Sequence, residues 1–169
     1  EPLIYGGGQQ NGLRSGTLPT PLCVGMGAAA EFIGEKCFVQ LQQELSSRRD
    51  YLVKQLGEIH WPIIFNAEAA SMRHPGNLSI CIKGIQAQSL LSSIQPHVAA
   101  SSGSACTSGT PESSHVLSAI GCSPADAECS IRLSLGLETT LEEIDTLIAY
   151  LREGIEKHKL LDASVAKSN

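Results

Sequence analysis

Aromatic side chains are scarce, at 4% of the 169 residues, so aliphatic side chains must fill most of any core. Charge is also modest: 17% of residues are charged and 42% are hydrophobic. That balance suits a packed domain and excludes a disordered acidic or basic tail. Twelve basic side chains face seventeen acidic ones, for a net charge of −5. An excess of acid argues against a nucleic-acid binder driven by phosphate neutralisation. No apolar run reaches the ~18 residues of a membrane span. None of the six cysteines (Cys23, Cys37, Cys81, Cys106, Cys122, Cys129) falls in a Cys-x-x-Cys pair, and the five histidines form no ligand pair. A zinc site and a dense disulfide scaffold are therefore not expected, and free thiols in a reducing, cytoplasmic setting are. The start, Glu1-Pro2-Leu3-Ile4-Tyr5, lacks an initiating methionine, a basic region and an apolar stretch. It is no signal peptide, and it reads as a start inside a longer protein.

What is present is an alternation of helical and extended patterns. Residues 1–20 form a glycine-rich loop, with Gly6-Gly7-Gly8, Gly12 and Gly16. Thr20-Pro21 then pairs a capping residue with a proline in the first turn. Apolar residues at helical spacing (Leu41, Leu45, Leu52, Leu56) predict one long helix, or two in series, across 21–60. Ile63-Ile64-Phe65 and Asn77–Ile82 read as strands, and Gln86–Ile94 as a short helix. Short helical turns follow at Ser114–Ile120 and Pro124–Ala127, then an alternating strand, Ser130–Leu135. Thr139-Thr140-Leu141-Glu142-Glu143 has the form of a capping box and opens a last helix expected to end near Lys157, with a frayed tail after it. These elements predict a small α/β domain over 61–160, one sheet faced by helices, with a flexible tail at 161–169.

Three segments can carry chemistry. In Gly6–Thr17, glycines allow close approach of backbone amides to an anion, and Arg14, Ser15 and Thr17 add donors that suit phosphate. The plainer alternative is a flexible connection, and no Gly-Lys-Ser/Thr of a Walker loop follows. Around Cys106, the small residues Ser101–Ala105 and Thr107–Thr110 leave the thiol uncrowded on a mobile loop, as sulfur delivery between sites requires. A structural cysteine sits instead in apolar surroundings, as Cys81 does between Ile80 and Ile82. Arg132 interrupts an apolar strand and so points to one face, either into a cleft as a carboxylate clamp or outward as a surface ion-pair residue. His115 reads as a helix-surface histidine, and a Cys–His thiol hydrolase built on Cys106 with His97 or His115 has no recognisable motif.

Taken together, Gly6-Gly7-Gly8-Gln9, Leu13-Arg14-Ser15-Gly16-Thr17, Val24-Gly25-Met26-Gly27, Ser102-Gly103-Ser104-Ala105-Cys106-Thr107-Ser108 and Ser130–Gly136 resemble, in order, the C-terminal part of a cysteine desulfurase of the NifS/IscS-like branch of the class V aminotransferases. Thr139-Thr140 with Glu142, Glu143, Ile144 and Asp145 continues the likeness. The resemblance implies the small C-terminal domain of a fold-type I transferase dependent on pyridoxal 5'-phosphate (PLP), preceded by a long bridging helix. It implies sulfur transfer from L-cysteine to Cys106 as a persulfide, with L-alanine released, for iron–sulfur cluster or other sulfur pathways. It assigns the substrate carboxylate to Arg132. Thr17 falls to the cofactor phosphate of a partner subunit in a homodimer, with Arg14 in the same loop. Sulfur-acceptor or scaffold proteins are the implied partners.

Two departures matter. Gln10-Asn11 stands where the family has an acidic–basic pair. None of the six lysines (Lys36, Lys54, Lys83, Lys157, Lys159, Lys167) has the Ser-x-His-Lys context of the PLP lysine. The chain alone is therefore expected to be inactive, and the alternative function is a non-catalytic dimerisation or docking module. An exposed apolar patch near Val24, Met26 and Phe32, covered by self-association, is also expected.

Overall fold

The computed structural model describes residues 1–35, 38–67, 73–102, 104–105 and 112–166. The chain divides into two compact units, Glu1–Leu41 and Gln42–Asn169. The division falls inside the expected bridging helix rather than at either of its ends.

In the first unit, the N-terminal strand of chain folds back on the glycine-rich loop. Leu3 N–H donates to Leu13 C=O at 2.7 Å and Ser15 N–H to Ile4 C=O at 3.1 Å, closing a parallel bridge between Ile4 and Arg14. Helix α1 (Thr20–Glu35) follows. The pattern expected for a single long helix or two in series resolves as α1 and then α2 (Phe38–Gly57), with Lys36 and Cys37 outside the described residues. Leu22, Val24, Met26, Phe32 and Ile33 of α1 are all at least half exposed, as anticipated for Val24, Met26 and Phe32.

The second unit is a four-stranded antiparallel sheet in the order β1-β2-β6-β3: β1 (Ile63–Phe65), β2 (Asn77–Ile82), β3 (Ser101–Ser102) and β6 (Ser130–Ser134). A separate two-stranded ladder joins β4 (Ser104–Ala105) and β5 (Glu112–Ser113). The alternation of β2 and β6 sorts their side chains onto two faces. Leu78 opposite Leu133 and Ile80 opposite Ile131 form the inner face. Against it pack Leu52 and Leu56 of α2, Leu90, Leu91 and Ile94 of α3 (Ala87–Ile94), and Ile144, Ile148, Leu151 and Ile155 of α6 (Leu141–Ala166). The α6 set recurs at helical spacing, so one stripe of the helix faces the sheet. Each fully buried Leu or Ile contributes roughly 1.5–3 kcal/mol.

The start of α6 is the expected capping box: Thr140 Oγ1 accepts from Glu143 N–H at 3.1 Å, and Glu143 Oε2 accepts from Thr140 N–H at 2.9 Å. Its end differs from expectation. The helix passes Lys157 and runs to Ala166, so residues 158–166 are not a frayed tail. Ion pairs Lys157–Glu153 and Lys159–Glu156, one turn apart on the exposed side, extend the helix past the last core residue.

Gly76 lies where the chain enters β2. A methyl group there would clash with the carbonyl oxygen of Leu135, whose own N–H donates to Gly76 C=O at 2.7 Å. Because the obstacle is backbone, Gly76→Ala is expected to destabilise the domain by about 1–3 kcal/mol. A denaturant titration giving an unchanged midpoint contradicts that.

Candidate functional site

The outer face of the sheet is polar. Across it lie Asn77 opposite Ser134, Ser79 opposite Arg132, and Cys81 opposite Ser130, with Ser101 of β3 on the other flank of Arg132. Arg132 is exposed, as strand alternation requires for a residue between buried Ile131 and Leu133. Its Nη2 donates to Ser101 Oγ at 3.5 Å, and no carboxylate pairs with it among the described residues. The guanidinium stands as an unneutralised fork beside the hydroxyls of Ser79 and Ser101, a donor set that suits a carboxylate.

On this face is a network that sequence reading missed. Asn66, buried at the end of β1, donates from Nδ2 to Ser79 Oγ and to Ser130 Oγ, both at 3.0 Å. Ser130, fully buried, donates in turn to Asp126 C=O at 2.7 Å, and the Cys122 thiol donates to Asn66 Oδ1 at 3.6 Å. The carboxamide thus ties β1, β2 and β6 together two residues from Arg132. Such a network satisfies buried polar groups that otherwise cost roughly 1–3 kcal/mol each. Its members are far apart in sequence; the one local signal is that serines occur at outward positions of both β2 (Ser79) and β6 (Ser130, Ser134).

Cys81 also belongs to this face. It is buried, as expected, but points away from Ile80 and Ile82, and its thiol donates to Asp126 Oδ1 at 3.7 Å. Asp126 pairs with Lys83. Lys83 holds the Asp126 carboxyl below its ordinary range, and Asp126 holds the Lys83 ammonium above its own. Burial, then the Asp126 charge, pushes the Cys81 thiol up to about 11. Cys81 and Cys122 line an open cleft of about 190 Å³ with Ile64, Phe65, Asn66 and Asp126. A protonated, buried thiol is a poor nucleophile. At pH 8, iodoacetamide is expected to label exposed Cys23 and to spare Cys81, read by peptide mass; equal labelling contradicts the burial and the raised pKa.

Cys106 lies outside the described residues. The flanking chain is placed: β3 pairs with β6 beside Arg132, and β4 pairs with β5, Ala105 opposite Glu112, so Cys106 falls in the connection between those two strands. His115 is exposed at the start of α4 (His115–Ala119), as expected, and His97 stacks on Tyr150 with ring centroids 4.6 Å apart.

In the first unit the glycine-rich loop is closed by its own side chains. Gly8 N–H donates to the buried Ser15 Oγ at 3.2 Å, and Gly16 N–H donates to Gln9 Oε1 at 2.9 Å. Arg14 Nη1 donates to the carbonyls of Ser15 and Gly16 at 3.2 and 3.3 Å. Thr17, next in the chain, is exposed. Among the described residues no cluster of His, Cys, Asp or Glu can hold a metal, and no helix is long and apolar enough to cross a membrane.

The second unit is an antiparallel sheet backed by helices on one face and carrying Arg132 on the other, and the first unit holds the glycine-rich loop and helix α1. The chain belongs to the class V aminotransferase family, whose model matches residues 5–147. Within that family it is similar to cysteine desulfurases. It is 38% identical over 162 residues to the cysteine desulfurase IscS of Rickettsia akari, covering 95% of this chain and 38% of that protein. It is 40% identical over 156 residues to the mitochondrial cysteine desulfurase of Eremothecium gossypii, covering 92% of this chain and 31% of that protein. Among solved structures, the NifS-like protein of Rickettsia africae superposes with a TM-score of 0.75 at 27% identity, over 92% of this chain and 40% of that one. The chain thus spans two fifths or less of the length of these relatives.

Proposed function

We propose that this chain is the C-terminal part of a PLP-dependent cysteine desulfurase, and that it supplies the substrate-carboxylate clamp and the sulfur-accepting thiol. The observation that carries the reading is the position of Arg132. It is a guanidinium on the polar face of the sheet, not paired with any described carboxylate, and its one described partner is Ser101 on the strand that leads toward the Cys106 segment. Arg132 binds and orients the carboxylate of L-cysteine. The Cys106 thiolate then attacks the substrate sulfur: an S–S bond forms, the C–S bond breaks, and its electron pair stays with the departing alanine carbon. PLP, when bound, supplies the electron sink that makes this carbon a tolerable leaving group.

The cofactor's phosphate end fits the glycine-rich loop, where the Thr17 hydroxyl is exposed and Arg14 adds positive charge. Its aldehyde end needs a lysine in the Ser-x-His-Lys context of the resembled family, and none of the six lysines of this sequence has that context, so we assign the lysine to another domain. The exposed apolar side chains of α1 favour a homodimer as the assembled state. A reducing compartment such as the cytoplasm fits the free thiols, and sulfur-acceptor or iron–sulfur scaffold proteins are the partners for the persulfide. The absent lysine context equally favours a second reading, a docking module without turnover.

Incubating the chain alone with PLP and L-cysteine is expected to release no sulfide above a no-protein control. Robust release overturns the assignment of the lysine to another domain.

A further inference from the structure

Thr17 is only as well placed as the residue before it. Gly16 has φ +100°, a conformation that side-chain-bearing residues rarely adopt, and a methyl group there would lie 3.2 Å from Arg14 Nη1. Glycine is required, yet glycine is also the residue with the most backbone freedom to lose. An unrestrained glycine at this point lets the Thr17 hydroxyl wander through many positions, most of them useless for a fixed phosphate.

The loop removes that freedom with two side chains. The Gly16 N–H is taken by Gln9 Oε1 at 2.9 Å, and its C=O is taken by Arg14 Nη1 at 3.3 Å. The same Nη1 also reaches the Ser15 carbonyl, so Arg14 spans two successive peptide units. The base beneath is tight. Ser15 is buried, its Oγ accepts from Gly8 N–H, and a methyl group on Gly6 would fall 2.9 Å from Ser15 Cβ.

We propose that Gln9 and Arg14 are positioning residues that clamp the two peptide units flanking the Gly16 Cα, and so fix the Thr17 hydroxyl for a phosphate. Neither touches the phosphate. The inference rests on the reading that Thr17 meets the PLP phosphate, and it moves Arg14 from a direct contact to a brace.

Two readouts test it. In this chain, hydrogen exchange at the Gly16 amide is expected to accelerate about tenfold or more in Gln9→Ala and to stay slow in Gln9→Glu, which keeps an acceptor oxygen, and in Thr17→Ala. In the PLP-loaded enzyme containing this chain, the preference for PLP over pyridoxal reads the phosphate contact alone. It is expected to fall about tenfold in each of Gln9→Ala, Arg14→Ala and Thr17→Ala, the size of one charge-assisted hydrogen bond. Adding either clamp variant to Thr17→Ala is expected to cost nothing further, because the clamp acts through Thr17. The Arg14→Ala deficit is expected to hold at high salt, where a direct guanidinium–phosphate attraction is screened.

If Thr17→Ala leaves the preference unchanged, the reading of this loop as a phosphate site fails. If Thr17→Ala lowers it while the clamp variants do not, or lower it additively or in a salt-dependent way, the clamp fails and the reading of the loop stands.

Discussion

Replacing Arg132 by alanine in the PLP-loaded enzyme is expected to raise KM for L-cysteine about 100-fold, a loss of ~2.7 kcal/mol. The size follows from the geometry. Arg132 is not paired with any described carboxylate, so its fork is spare for the substrate, and a charge-assisted hydrogen bond contributes about 1.5–3 kcal/mol. Two parallel bonds to one carboxylate account for the larger end, reduced because the exposed site is partly screened by water. Arg132→Lys keeps the charge and loses the fork, so it is expected to recover only part of the loss. The same variants are expected to leave folding almost unchanged, since the side chain is exposed and its one described partner, Ser101, sits at 3.5 Å. An unchanged KM in Arg132→Ala, in a folded and PLP-loaded protein, removes the substrate clamp from this strand.

Replacing Cys106 by serine is expected to have the largest effect of all: sulfide production with a thiol reductant falls by about 1,000-fold or more, the loss typical of removing a covalent nucleophile. Serine preserves size and polarity, but a hydroxyl neither ionises near neutral pH nor forms a bond to sulfur under these conditions. Cys81 and Cys122, the thiols on the same sheet face as Arg132, are not expected to substitute for it. Cys81 is buried and held protonated, and the Cys122 thiol donates to Asn66 from a half-buried position. The corresponding Cys81→Ala and Cys122→Ala proteins are expected to keep turnover within about threefold of the parent, because neither thiol is poised as a nucleophile. A Cys106→Ser enzyme with ordinary turnover transfers the role to another thiol.

The sequence carries much of this architecture because several of its signals are local. The alternation of Leu78, Ile80 and Ile82 with polar neighbours sets which face of β2 is buried, and Ile131 and Leu133 repeat it on β6. The position of Arg132 on the open face follows from the same two-residue period. The capping box at Thr140 and Glu143 is likewise contained in four residues. Signals that depend on distant partners were not legible. Asn66 looks like a turn residue until β2 and β6 bring Ser79 and Ser130 to its carboxamide. Cys81 sits between two isoleucines in sequence, which suggests an apolar site, yet the pleat turns it toward Asp126. The helix expected to end near Lys157 continues to Ala166, with Lys157 and Lys159 paired to Glu153 and Glu156 along its exposed side. The glycine-rich loop shows how composition alone stops short. Its donors were evident, but only the folded loop reveals that Arg14 and Gln9 spend theirs, and their acceptors, on Gly16.

Under the proposed function, Cys106 is expected to collect sulfur from cysteine held by Arg132. The most direct measurement mixes this chain with a catalytically complete homologue and L-cysteine, without reductant, and takes the peptide mass spectrum around Cys106. A mass increase of about 32 Da, one sulfur atom, is predicted on the Cys106 peptide and not on those carrying Cys81 or Cys122. An unmodified Cys106 peptide, in a mixture whose homologue carries its own persulfide, contradicts the account and leaves a docking module in its place.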